Sequence, residues 1–475
     1  MKFEILSPED KALVHKKSLE LLKEVGIKVD SEKILKLMAD NGCEVDFDKQ
    51  LIKFPDKIIE DAVKIAPHKF VLGALNKEKD MYLGEGNSYI CTDGQGCFVG
   101  DWETGERRIS KMEDLVNAAK IAEATDYIRC FWPIITAHDV PDGTRIVHEM
   151  VESFKVSTLH FESDCYNTAQ ADCYKKVLHY LFDEETLLNR PPLSLVCCPV
   201  TPLTFEGPMA EGTISMGEIN TPVVILPMPI AGTTAPMSLF STVIQNNAEV
   251  LAGNAIFQTA NPGRKVIYGA APGILDMATS LFCVGSAEGA LQNAACTEMG
   301  KYYNLPTMAC FGCDAPTPGE QSGTERGIAC VTLFMAGADI LTGVGLTGSA
   351  QILYLEELIL NEDILNMCRR VSEGIRTGEE HSLTDLVKEI GPGGNFLAES
   401  STVEYLKNGE HLHIKHLSRD SYEGWRLNGK KGELEMAAEK ITSILAEHKQ
   451  CNFTEEQIEG LREIMDKADK EIFID

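Results

Sequence analysis

The sequence predicts an α/β protein: a closed (β/α)8 barrel with an N-terminal α/β extension and a C-terminal helical segment. Three observations predict it. Between residues 87 and 374, short β-rich runs alternate with helical runs eight times. The strand runs are too continuously apolar for one face to meet water, as expected of a parallel sheet covered on both sides. Eight strand–helix units in series are the number that closes into a barrel.

The expected divisions are residues 1–86 for the extension, 87–374 for the barrel and 375–475 for the helical segment. In the extension, stretches 10–24 and 31–41 carry helical apolar spacing, and Ser31 is placed to cap the second. The barrel strands are expected at 89–92, 127–132, 158–161, 193–197, 223–226, 266–268, 307–311 and 339–342. Their helices are expected at 112–124, 145–154, 169–182, 206–219, 237–257, 286–303, 322–336 and 355–372. After residue 374 the chain is charged and mostly helical, punctuated by Gly391-Pro392-Gly393-Gly394. Its amphipathic stretches 434–448 and 455–469 read as a terminal cap packed on the barrel.

Composition excludes several classes of function. The chain has 44 basic and 72 acidic residues, a formal net charge of −28, and no basic patch, which argues against a nucleic-acid partner. A cationic small molecule, or a protein with a basic docking face, suits the sign better. No run approaches 18 uninterrupted apolar residues, so no membrane span is expected. The start, MKFEILSPEDKALVHKK, carries charges where a signal peptide needs an apolar core. Fifteen cysteines, an odd number, lie in apolar runs such as LVCCP and ACFGC. They read as free thiols in a reducing compartment, so a cytoplasmic location is expected.

Barrel enzymes carry their chemistry on the loops after the strands. Those loops are rich in Pro and Gly and hold Asp93, Gln95, Phe98, Trp132, Glu162, Asp164, Glu206, Tyr268, Asp314 and Glu320. Acidic and aromatic, and poor in Arg and Lys, such a mouth suits a cation held by aromatic faces and carboxylates. The candidate substrate-binding residues are Asp93, Gln95, Phe98, Trp132, Glu206, Tyr268, Asp314 and Glu320. The leading aromatic faces are Trp132, Phe98 and Tyr268, with Glu206 or Asp93 for the charge. Other constellations carry less. Cys310-Phe-Gly-Cys313 is a lone CxxC without the second pair of a zinc site. The alternation His411-Leu-His413-Ile-Lys-His416 reads as a strand face, and the glycine-rich turn at Gly391 lacks the Lys-Ser/Thr of a phosphate loop.

Across the barrel and the segment after it, the sequence resembles the trimethylamine methyltransferase family. The resemblance rests on GERR from Gly105, PVTPL from Pro199, AGTTAP from Ala231, AEVLAG from Ala248 with Gln258, and PGRKVIYG from Pro262. It continues in GSAE from Gly285, YNLP from Tyr303, Glu320-Gln321, GAD from Gly337 and GPGG from Gly391. The resemblance implies a (β/α)8 barrel that passes a methyl group from a methylated amine to Co(I) of a corrinoid (cobalamin) carried by a separate protein. That corrinoid protein and a betaine are then the partners, no cofactor is held permanently by this chain, and a homo-oligomer is compatible with it. The founding branch carries pyrrolysine in the loop after the seventh strand; here an ordinary residue near Pro316 stands there. Ser401-Thr402 stands where many relatives have His-Thr.

The missing pyrrolysine points to the substrate. A tertiary amine must be activated before it leaves, whereas a quaternary ammonium departs as a neutral amine. No catalytic acid or base and no metal is then required, only desolvation and orientation. The substrate expected is a betaine such as glycine betaine, proline betaine, carnitine or butyrobetaine. Two alternatives remain at this level. One is a zinc-dependent corrinoid methyltransferase for a thiol or alcohol, using Cys310 or Cys313 with His160. The other is a non-catalytic betaine-binding regulator.

Overall fold

In the computed structural model, which describes residues 4–472, eight parallel strands close into a barrel in chain order. They are β1 (Tyr89–Thr92), β2 (Ile128–Phe131), β3 (His160–Ser163), β4 (Leu193–Cys197), β5 (Val223–Ile225), β6 (Val266–Ala270), β7 (Thr307–Cys310) and β8 (Ile340–Val344). The ring closes where Ile340 of β8 pairs with Tyr89 of β1. Each strand overlaps its predicted run, the third being displaced by two residues, from 158–161 to His160–Ser163. The outermost residues of both flanking segments, 1–3 and 473–475, lie outside the described residues.

The helices between and after the strands are α1 (Met112–Ala124), α2 (Arg145–Val156), α3 (Thr168–Leu181), α4 (Gly207–Met216), α5 (Leu239–Ala260), α6 (Ala287–Tyr302), α7 (Glu320–Ala336) and α8 (Leu355–Glu373). Several start on local signals. The side chains of Asn167, Ser238 and Ser286 accept from the third backbone N–H of α3, α5 and α6. The α7 helix stops at Gly337, whose φ of 81° suits a residue without a Cβ.

Alternation along the strands separates two apolar layers. Leu193 and Leu195 of β4 pack toward the helices. Val196, with Cys91, Cys130, Trp132, Met308 and Ile340, packs on the barrel axis. The hairpin Phe70–Leu72 and Met81–Leu83 joins this axial cluster and closes the end where the strands begin. There the Gly73 carbonyl accepts from His160 Nδ1 at 2.7 Å. Over the other end, Ile230–Ala231, Gly273–Leu275 and Phe282–Cys283 form a small sheet from the loops after β5 and β6. Such two- and three-residue strands are too short to leave a periodic signal in sequence.

The rest of the extension folds as helices Pro8–Glu24, Glu32–Asp40 and Asp56–Ile65 around a small sheet that borrows Thr204–Phe205. It shares an apolar core with α5. Helix Glu433–Glu447 packs on α1 and α8, and helix Glu455–Glu471 packs on α3. The strand expected around His411 to His416 is not formed. Instead the N–H groups of Lys415, His416 and Leu417 all donate to the Asp363 carboxylate, at 2.8, 2.6 and 2.8 Å. His416 meets Glu362 and His411 meets Arg419, so the alternation reflects loop anchoring.

Candidate active site

Three adjacent strands, β1 to β3, place two tiers of chemically capable side chains on the axis. Each strand contributes one residue to the deeper tier and, two positions on, one to the tier nearer the mouth. Cys91, Cys130 and Glu162 form the deeper tier; Asp93, Trp132 and Asp164 follow above them. All six are buried.

Burial raises the carboxyls of all three acids. It pushes Glu162 up to about 8, Asp164 to about 7 and Asp93 to about 6. Asp93 is restrained by the positive charge of Arg326, and its Oδ2 has no hydrogen-bond partner. Asp164 is restrained by the side chains of Trp132 and Tyr166. Trp132 Nε1 lies near enough to Asp164 to lower its pKa but outside hydrogen-bond geometry.

Beneath, Glu162 Oε2 lies 2.9 Å from Ser194 Oγ, which lies 2.8 Å from His160 Nε2. Burial lowers His160 to about 4, so the ring is neutral. Its one proton is on Nδ1, because the Gly73 carbonyl can only accept. Ser194 Oγ thus bridges the imidazole and the Glu162 carboxyl.

Beside the upper tier, Glu149 of α2 accepts from the Ala137 N–H at 2.9 Å and from Gln95 Nε2 at 3.2 Å. Burial pushes it up to about 8. Arg326 of α7 is fully buried and donates from Nε to Glu357 at 3.0 Å and to the carbonyls of Gly343 and Leu346. Its guanidinium is consumed in holding the loop after β8.

The residues expected at the mouth separate into three groups. Asp93, Trp132 and Gln95 stand at the axis or beside it. Asp314 stitches loops together. It accepts from the N–H groups of Val284 and Gly285 at 3.0 and 2.9 Å, and from Ser349 Oγ at 2.9 Å. The other four are elsewhere. Tyr268 points outward from β6, donates to Asn247 Oδ1 at 3.0 Å and stacks on Tyr303, because its parity on the strand is that of the helix layer. Phe98 lies in an outer sheet with the Arg107 guanidinium already 4.2 Å over its ring. Glu206 and Glu320 are exposed at the starts of α4 and α7. Glu162 sits one tier below the mouth, inside the barrel.

Sequence reasoning missed Glu149 and Arg326, which sit in helices, and Cys91 and Cys130, which looked like ordinary strand thiols. The parity of i and i+2 along β1, β2 and β3 was the available signal. The CxxC pair is not joined by His160, which lies at the start of β3, bound to Gly73 and Ser194. All fifteen cysteines are free.

The closed barrel and the strand-end site together define a barrel enzyme. The chain belongs to the trimethylamine methyltransferase family: the family model described as Trimethylamine methyltransferase (MTTB) matches residues 1–472. It is a methyltransferase of that family. It is 28% identical over 476 residues to trimethylamine methyltransferase MttB of Methanosarcina barkeri, covering 98% of this chain and 95% of the relative. It is 27% identical over 430 residues to a glycine betaine methyltransferase of Desulfitobacterium hafniense (strain Y51), covering 89% and 88%. The crystal structure of Methanosarcina barkeri monomethylamine methyltransferase (MtmB) superposes with a TM-score of 0.53 at 12% identity. That match covers 99% of this chain and 90% of the other, and it concerns the fold. Among the described residues no helix is long and apolar enough to cross a membrane.

Proposed function

We propose that this methyltransferase takes a methyl group from a quaternary ammonium compound, a betaine, and gives it to Co(I) of a corrinoid carried by a separate protein. The observation that carries the reading is the upper tier: Trp132 flanked by the buried carboxyls of Asp93 and Asp164, with the nearby cation Arg326 already engaged. An aromatic face with carboxylates behind it is the environment a desolvated quaternary cation requires. The ordinary residue near Pro316, where the founding branch has pyrrolysine, supports a substrate that needs no activation. So does the likeness to a relative named glycine betaine methyltransferase.

The corrinoid, when its carrier presents it, supplies the electron pair for the new bond to the methyl carbon. The bond from that carbon to nitrogen breaks, and its electron pair leaves on nitrogen as a neutral amine. No proton need move. The work of this chain is to hold the cation dry and to fix one methyl toward the mouth. Asp314 and Glu325 support that by immobilising the loop after β7. The N–H groups of Asp314 and Ala315 donate to Glu325 Oε2 at 2.8 and 3.2 Å.

The rim offers a surface for the carrier. Met228, Met237, Met277 and Leu281, from the loops after β5 and β6, are 39, 51, 73 and 63% exposed. Adaptable apolar side chains around a site entrance suit a transient protein partner.

The test is a spectroscopic screen. The purified chain is mixed with reduced corrinoid and, in turn, trimethylamine and a panel of betaines, following loss of the Co(I) absorbance. A betaine should react at least about tenfold faster than trimethylamine, or about 1.4 kcal/mol of barrier. Comparable rates, or reaction with trimethylamine alone, would overturn the reading.

A further inference from the structure

The deeper tier has a use that methyl transfer leaves unassigned. Cys91, Cys130 and Glu162 each offer a donor atom, and those atoms all lie within 4.8 Å of one another in the buried core. Cys91 and Cys130 are register partners on β1 and β2. Glu162 Oε1 is buried and has no hydrogen-bond partner. Its other oxygen is held by Ser194, which His160 holds in turn. One free oxygen, and one fixed from behind through a serine and an imidazole, is the arrangement of a ligating carboxylate with its outer support. Around a tetrahedral ion, metal–sulfur bonds of about 2.3 Å and metal–oxygen bonds of about 2.0–2.2 Å put the donors roughly 3.5–3.8 Å apart, so small side-chain shifts suffice.

We propose that Cys91, Cys130 and Glu162 form a metal centre on the barrel axis that takes a thiophilic divalent cation, with zinc as the best match. Two sulfurs and one oxygen select a borderline-soft ion over magnesium or calcium, and three protein ligands leave a fourth position for water. Charge also balances. The two thiols release their protons to solvent as the ion binds. The divalent charge of the ion is then met by the two thiolates. Among the described residues this is the one such trio. The centre goes beyond the methyl-transfer reading, which rests on Asp93, Trp132 and Asp164, and it revises the expectation that the chain holds no metal.

The test reads metal directly. The full chain is expressed with added zinc, passed over a metal-free desalting column and analysed by plasma mass spectrometry, expecting stoichiometric zinc. Reloading with Co(II) should give sulfur-to-cobalt charge-transfer absorption in the near ultraviolet and the visible bands of a tetrahedral site. Cys130→Ser and the near-isosteric Glu162→Gln should abolish both signals, whereas Cys313→Ser, outside the trio, should keep them. Ser194→Ala should weaken zinc by about tenfold through its carboxylate. If a ligand variant fails to fold, the parent decides alone: zinc should raise its melting temperature and magnesium should not. Only trace zinc in the parent with a silent Co(II) spectrum, or zinc retained equally by Cys130→Ser and Glu162→Gln, would overturn the proposal.

Discussion

The backbone of Gly94 lies against the indole of Trp132: a Cβ built on Gly94 would stand 2.6 Å from Cδ2 and Cε2 of the ring. Trp132 is 5% exposed, and on that face it is held by main chain. A methyl group there must displace the ring. Gly94→Ala should therefore cost about 1–3 kcal/mol of stability, as overpacking does, and weaken betaine binding in the protein that remains folded. Thermal melts and calorimetry on the same preparation check this. Unchanged affinity would mean that the orientation of the indole is irrelevant to the ligand.

Trp132 and Tyr268 should behave as opposites, although the sequence places both at strand ends. A desolvated cation–aromatic contact contributes about 2 kcal/mol, so Trp132→Leu should weaken betaine binding by roughly thirtyfold. Tyr268 faces the helix layer with its hydroxyl on Asn247. Tyr268→Leu should lower the melting temperature and leave affinity alone. Calorimetry on both variants decides; equal losses of affinity would contradict the placement of Tyr268.

Glu149 makes stability depend on pH. Burial raises its carboxyl from an ordinary 4.5 to about 8, so the folded state holds the proton more tightly than the unfolded chain does. Its contribution is fully present below the ordinary value and is lost as pH rises through the folded one. The melting temperature of the parent should fall between about pH 5 and pH 9. Glu149→Gln keeps an acceptor for the Ala137 N–H and should show a shallower fall. Parallel slopes for the two proteins would show that Glu149 is not the group responsible.

Arg326 and Glu357 are a buried pair whose removal should be severe and asymmetric. Arg326→Met strips Glu357 of its cation and frees the carbonyls of Gly343 and Leu346. Breaking such a pair from one side costs about 3–5 kcal/mol. Chemical denaturation should find Arg326→Met far less stable than the double variant Arg326→Met with Glu357→Leu. Equal stabilities would show that the isolated carboxylate carries no penalty.

The sequence by itself determined the barrel, its eight strands in order, and the family resemblance, because each rests on local information. Runs such as Val223 to Ile225 are apolar at every position, and helix starts such as Ser286 carry their own caps. It also put Asp93 and Trp132 at the strand ends. Tertiary structure decided which strand-end residues share one space. Tyr268 is one strand position away from facing the axis, and the pleat sends it outward. Phe98 is claimed by Arg107, which only the packing of the first loop reveals. Lateral pairing of β1, β2 and β3 brings the donor atoms of Cys91, Cys130 and Glu162 to within 4.8 Å of one another. No spacing along the chain encodes that meeting, because it depends on the register between strands, and register is set by long-range pairing.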